Sequence, residues 1–188
     1  MRILILGPQG SGKGTQAQRI AAAYGVPHIA TGDMFRAAVA TGSELGAQVG
    51  PILERGDLVP DDLTIDLIRE RLAEEDGFVL DGFPRTVPQA EALDTMLDEI
   101  GKPLDAVILL QVSDDVATER LRERAAKEGR ADDSPEAIAN RLRQYHELTE
   151  LVVDRYQVAG IEVIVDGEQA VDEVFAAIQD ALEGVTAR

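Results

Sequence analysis

Residues Gly7-Pro8-Gln9-Gly10-Ser11-Gly12-Lys13 fill a G-x-x-x-x-G-K frame. Glycines at that spacing let successive backbone N–H groups turn toward one anion. A helix that follows adds the partial positive charge of its N-terminus, and the lysine reaches the β- and γ-phosphates of a nucleotide. The frame comes directly after the apolar run Ile3-Leu4-Ile5-Leu6 and before a helical stripe of Ala17, Ile20, Ala21 and Tyr24, which is the context such a loop needs. The chain holds only three lysines, Lys13, Lys102 and Lys127, and one of them occupies the required position. Gly14 follows Lys13 where a Ser or Thr commonly ligates Mg²⁺, and Thr15 comes one later, so direct hydroxyl ligation is not expected. Asp81 ends the apolar run Phe78-Val79-Leu80 and is the expected acidic group near Mg²⁺, acting through water because that ion keeps much of its hydration.

Arginine dominates the remaining cations. Arg36, Arg85, Arg130 and Arg141 stand in or beside Gly/Pro turns or at motif spacing, and Arg124 lies six residues before Arg130. Planar guanidinium forks suit phosphate oxygens in bidentate geometry. Arg120 and Arg122 read instead as part of a solvated helix face with carboxylates at i,i+4. His28 and His146 have no partner ligand at helical spacing and read as packing or surface residues. The chain as a whole carries 18 Lys+Arg against 35 Asp+Glu, a net charge of −17. That balance repels phosphate backbones and anionic headgroups, so neither nucleic acid nor a membrane surface is an expected partner. With no cysteine, disulfides, thiolate metal sites and a cysteine nucleophile are excluded.

Elements able to hold these residues alternate along the 188 residues. Arg2–Leu6, Phe78–Leu80, Ala106–Val112 and Ile161–Val165 read as buried parallel strands, and Val26–Ala30, broken by Pro27, as a weaker fifth. Between them run amphipathic helices. One face comprises Leu93, Met96, Leu97 and Ile100, and another Val171, Val174, Phe175, Ile178 and Leu182. The longest stripe, Ile138, Leu142, Tyr145, Thr149, Val152 and Tyr156, reads as one continuous helix with Ser134 as N-cap and Pro135 at its first position. Strand–helix alternation repeated about five times predicts an α/β domain of the P-loop NTPase type, with a five-stranded parallel sheet and helices on both faces. Two segments break the alternation. Residues 30–59 are mostly helical text, and residues 124–134 are a charged, Gly-containing turn; insertions on a rigid scaffold are where binding loops and lids sit.

Taken in order, Gly7–Thr15, Thr31-Gly32-Asp33-Met34-Phe35-Arg36, Asp81-Gly82-Phe83-Pro84-Arg85 and Gly129-Arg130-Ala131-Asp132-Asp133 resemble the adenylate kinase family over the whole chain. The turn at 124–134 is similar to the short-lid form, since a long lid needs about 25 more residues and often carries a Cys-based zinc site. No structural zinc is expected. The resemblance implies reversible Mg²⁺-dependent transfer of the ATP γ-phosphoryl group to AMP, giving two ADP. It assigns Gly10, Ser11, Gly12, Lys13, Gly14 and Thr15 to the ATP phosphates, with Arg124 against ATP and the backbone carbonyl of Gln169 toward the adenine. It assigns Thr31, Arg36, Asp57, Leu58, Val59, Gly82, Phe83, Pro84, Arg85 and Gln89 to AMP, with residues 30–59 as the monophosphate-binding insertion. Arg130 and Arg141 grip the phosphates from the lid side, and Lys13, Arg85, Arg124, Arg130 and Arg141 form the catalytic set. The family loop commonly has Pro where this chain has Gln9, which changes loop stiffness and removes no donor.

Charge arithmetic points the same way. ATP and AMP bring about −6 together and Mg²⁺ returns +2, while Lys13, Arg36, Arg85, Arg124, Arg130 and Arg141 supply six positive charges. The acceptor is an ionised phosphate, so no general base is required. Water must be shut out, and the two insertions are the segments expected to move, a closure for which adenylate kinases are themselves a standard example. Two alternatives stay open on the sequence: a CMP or UMP kinase with the same arginines, or a non-catalytic nucleotide sensor. Thr31 and Gln89 favour adenine, because an amide can pair with its N1/N6 edge. Asp132 and Asp133 are expected to order the lid by pairing with arginine or by capping, and not to take part in the chemistry. A cytoplasmic location is expected, since the N-terminal apolar run is too short for a secretory signal and no run reaches 18 apolar residues, and a monomer is expected because no exposed apolar stripe is left over.

Overall fold

The computed structural model describes residues 1–128 and 132–186. Five strands, β1 (Arg2–Leu6), β2 (His28–Ala30), β3 (Phe78–Asp81), β4 (Ala106–Gln111) and β5 (Glu162–Asp166), form one parallel sheet in the order β2-β3-β1-β4-β5. β1 is central, with Leu4 opposite Leu80 of β3 and Val107 of β4. Because side chains alternate across a strand, β1 sends Ile3 and Ile5 to one core and Leu4 and Leu6 to the other. The first core is closed by α1 (Lys13–Tyr24) and α9 (Val171–Thr186), through Ala17, Ile20, Val174, Ile178 and Leu182. The second is closed by α4 (Asp61–Leu72), α5 (Val87–Glu99) and α8 (Glu150–Ala159), through Ile68, Leu93, Leu97, Val152 and Tyr156. Apolar faces on both sides of a parallel sheet explain why its strands read as unbroken apolar runs.

Strand ends shift by a residue or two from the sequence reading: β3 includes Asp81, β4 stops at Gln111, and β2 begins only after Pro27. β5 differs in kind. It is an edge strand, and Ile164 is 50% exposed, so it is not buried on both faces as expected. The helical text after β2 resolves into α2 (Thr31–Ala40) and α3 (Glu44–Glu54), the latter capped by the Ser43 hydroxyl accepting from Gly46 N–H at 3.1 Å. Phe35, Val49 and Val59 give this pair its own small core away from the sheet.

Two further expectations are corrected. α6 (Asp114–Glu128) runs straight through Arg124, which is helical and not part of a turn. The long stripe is not one helix either. α7 (Pro135–Gln144), capped by Ser134 as expected, passes into a π-turn over Tyr145–Thr149 before α8 begins. The N–H of Glu150 reaches the carbonyl of Tyr145, five residues back. Single π-turns inside helices are concentrated at functional sites.

Candidate active site

Strand order reverses on either side of β1, and ligands in such sheets bind beyond the carboxyl ends of the strands at that point. The loop 7–12 leaves β1 there. Gly10 has φ +86°, and a Cβ on it would lie 2.4 Å from the Ala117 carbonyl oxygen, so only glycine lets the loop lie against α6. Lys13 folds back over the loop, its Nζ donating to the carbonyls of Gly7 and Pro8 at 2.7 Å each. Burial pushes its ammonium down to about 8; Asp81 opposes the shift, and Arg85 and Arg124 add to it.

Asp81 closes β3 beside this loop, its Oδ2 3.6 Å from where a side chain on Gly14 would begin. Burial alone would raise its carboxyl, but His28, Lys13 and Arg85 outweigh it and hold Asp81 below the usual carboxylate range. His28 Nε2 is 3.5 Å from Asp81 Oδ2 and buried without a hydrogen bond, so this histidine faces the cleft and is not the packing or surface residue expected from sequence. Among the described residues no cluster of three His, Cys, Asp or Glu could cage a metal. One half-buried carboxylate held in its charged form instead suits a cation carried chiefly by phosphate oxygens and water.

Gly82, φ +80°, turns the chain out of β3; a Cβ here would meet Thr31 Oγ1 at 2.7 Å. The Phe83–Pro84 peptide is cis. Arg85 then reaches back, its Nε donating to the Gly82 carbonyl at 2.7 Å. It has no carboxylate within ion-pair distance among the described residues. Burial and the charges of Arg141 and Arg36 push its guanidinium down to about 10, against the pull of Asp81.

Across the cleft the cations are paired. Arg124 grips Asp133 through Nε at 2.8 Å and Nη2 at 2.7 Å, and Arg141 bonds Asp133 at 3.0 Å and Asp132 at 2.7 Å. Arg36 lies 3.5 Å from Asp132 and also pairs with Asp33. Burial opposes the charge of Arg124, but Asp133 outweighs it and raises the guanidinium above its ordinary value. The pairing expected of Asp132 and Asp133 is present. Arg120, expected on a solvated face, instead lines the cleft and donates to the Gly167 carbonyl at 2.8 Å. Arg122 is exposed, as expected. Arg120 stands one helical turn before Arg124, so placing Arg124 in the cleft was the signal that Arg120 would follow.

These groups border one open cleft of about 640 Å³, which gathers Gly10, Ser11, Gly12, Lys13, Gly14, Thr15, Arg36, Asp57, Asp81, Gly82, Pro84, Arg85, Arg124, Arg141 and Gln169. Thr31, Leu58, Val59 and Gln89 border a smaller adjoining cavity that also touches Asp57, Gly82 and Arg85. Phe83 borders neither. It is fully buried in the sheet core, where it supports the turn and does not meet the cleft. Arg130 lies outside the described residues. The Gln89 amide is engaged by the protein, its Oε1 accepting from Arg85 N–H at 2.8 Å and its Nε2 donating to Asp61 at 2.7 Å. Thr31 donates to the Gly82 carbonyl at 2.9 Å. Asp57 accepts from Arg55 and Asn140 at 2.8 Å each.

A cleft lined by a glycine loop at a helix N-terminus, two half-buried cations with no ion pair among the described residues and a facing row of arginines has the chemistry of a phosphate site. Comparison with known proteins agrees. Residues 5–161 match the family model described as adenylate kinase. The chain is 48% identical to an adenylate kinase of Stenotrophomonas maltophilia (strain R551-3), an alignment covering 98% of this chain and 100% of that protein. An adenylate kinase of Xanthomonas euvesicatoria pv. vesicatoria (strain 85-10) is also 48% identical, over 97% of this chain and 99% of its own length. One of Bifidobacterium longum (strain NCC 2705) is 46% identical, over 97% and 100%. This chain belongs to the adenylate kinase family.

Proposed function

We propose that the chain transfers the terminal phosphoryl group of ATP to AMP, giving two ADP in a reaction that runs both ways. The observation that carries this reading is the pair Lys13 and Arg85. Both are half-buried in the cleft, both are pushed down in pKa, and neither has a carboxylate within ion-pair distance among the described residues, Asp81 acting on them only from farther off. Two cations crowded at the mouth of a glycine loop without a direct ion pair are tolerable where a polyanion completes them.

In this reading the loop amides of Gly10 to Thr15 and Lys13 hold the ATP phosphates, with Arg124 above them and Gln169 beside the base. Thr31, Arg36, Asp57, Leu58, Val59, Gly82, Pro84, Arg85 and Gln89 surround AMP, and Arg141 with Arg130 grips from the facing side. Residues 30–59 form the monophosphate-binding insertion and 124–134 the short lid. Asp81 would hold Mg²⁺ through water. Bound with ATP, that ion would supply charge neutralisation at the phosphates. The protein's own part is alignment of the two phosphate chains, stabilisation of spread negative charge and exclusion of water.

A coupled assay of ADP formation with Mg-ATP and AMP, CMP, UMP, GMP or no acceptor tests the proposal. AMP should be preferred, with two ADP formed per AMP consumed. Preference for CMP would reassign the acceptor, and ADP formed without any acceptor would make the chain a hydrolase.

A further inference from the structure

Thr149 ends the π-turn and is 7% exposed, yet it is polar and borders the cleft. A threonine inside a helix commonly bonds its own carbonyl four residues back. Here Oγ1 instead donates to the backbone carbonyl of Arg85 at 3.0 Å, 64 residues away in sequence. The N–H of the same residue is held by Gln89 Oε1 at 2.8 Å, and Gln89 is anchored in turn on Asp61, which also accepts from Thr86 at 3.0 Å. Arg85 Nε is fixed on Gly82. The main chain of Arg85 is therefore clamped from two sides, by α5 through Gln89 and by the π-turn through Thr149.

The half-buried Arg85 guanidinium has no ion pair among the described residues and is tied only through Nε to Gly82, a neighbour in the same turn, so its direction comes from the backbone that carries it. We infer that Thr149 is a positioning residue for phosphoryl transfer: the π-turn exists to bring its hydroxyl onto the Arg85 carbonyl and so hold the Arg85 guanidinium on the acceptor phosphate. The inference rests on the assignment of Arg85 to the AMP phosphate. It predicts that loss of the hydroxyl weakens the grip on phosphate and leaves the grip on the nucleoside alone.

The test compares AMP with adenosine, measured by calorimetry on the full chain and on the variants Thr149→Val, Thr149→Ser and Arg85→Ala. Valine keeps the shape and removes the donor, while serine keeps the donor. The ratio of AMP to adenosine affinity should fall about 3–10-fold in Thr149→Val, the scale of one lost hydrogen bond to an oriented group. It should stay within about twofold in Thr149→Ser. Adenosine binding itself reports that each variant is folded. If Thr149→Val weakens AMP and adenosine alike, or leaves their ratio unchanged while Arg85→Ala collapses it, the positioning role is overturned. If Arg85→Ala itself leaves the ratio unchanged, the assignment of Arg85 falls first and takes the inference with it.

Discussion

On the sheet side of the cleft, Lys13 and Arg85 are half-buried; they bond backbone carbonyls and, for Lys13, the Ser11 hydroxyl, and feel Asp81 only at longer range. On the side formed by α6 and α7, Arg124 and Arg141 share Asp132 and Asp133 at 2.7–3.0 Å. Among the described residues the same charge is thus without a direct ion pair on one wall and closely paired on the other. Partly desolvated cations without a direct ion pair destabilise the empty fold, so the sheet side is strained toward an anion and held rigid by the core beneath it. The facing arginines are stable without ligand, because a carboxylate offers a guanidinium the same paired oxygens that a phosphate does. On the proposed function, the fixed wall would select for phosphate, and the facing wall would trade one acceptor for another.

Substitution should separate the two walls. Arg85→Ala is expected to lower kcat by about 10²–10⁴, the scale of a lost transition-state charge contact, while its melting temperature stays level or rises because a strained cation is gone. A near-normal rate would remove the phosphates from the sheet side. Asp133→Asn should do the reverse. Its carboxylate is completely enclosed and serves both Arg124 and Arg141. Losing that charge should lower stability by about 1–3 kcal/mol, read from denaturant titration. Turnover should fall less than in Arg85→Ala. Unchanged stability would mean that the facing arginines need no internal partner.

Some of this contrast was legible in the sequence. The glycine loop and Asp81 are local features, fixed by a strand end and a helix start, and they lie where residue types and spacing put them. Arg124, singled out by its six-residue distance from Arg130, and Arg141, singled out by its motif spacing, both border the cleft. What failed depended on how distant elements pack. Arg120 looked solvated until the loop after β5 brought the Gly167 carbonyl to it, and His28 looked inert until β2 paired with β3 beside Asp81. Gln89 was read as free to meet adenine, but Arg85 and Asp61 occupy much of its amide. The π-turn left no trace because the stripe from Ile138 to Tyr156 steps by four and three throughout, as an ordinary helix would. Phe83 sits in a motif whose neighbours reach the cleft, yet its size and apolarity take it into the core.

Proton uptake on ATP binding, measured by calorimetry near pH 8 in buffers of different ionisation enthalpy, tests the bare-cation claim most directly. Burial lowers Lys13 from 10.5 in the free residue to about 8 in the empty protein. The unfolded chain thus holds more protons between those values, and stability of the empty fold rises with pH across that window. Bound phosphates would restore the ammonium, so binding should take up about half a proton at pH 8 and weaken as pH rises further. Binding with no proton uptake at that pH would show that Lys13 already has its counter-charge, and the contrast between the two walls would be wrong.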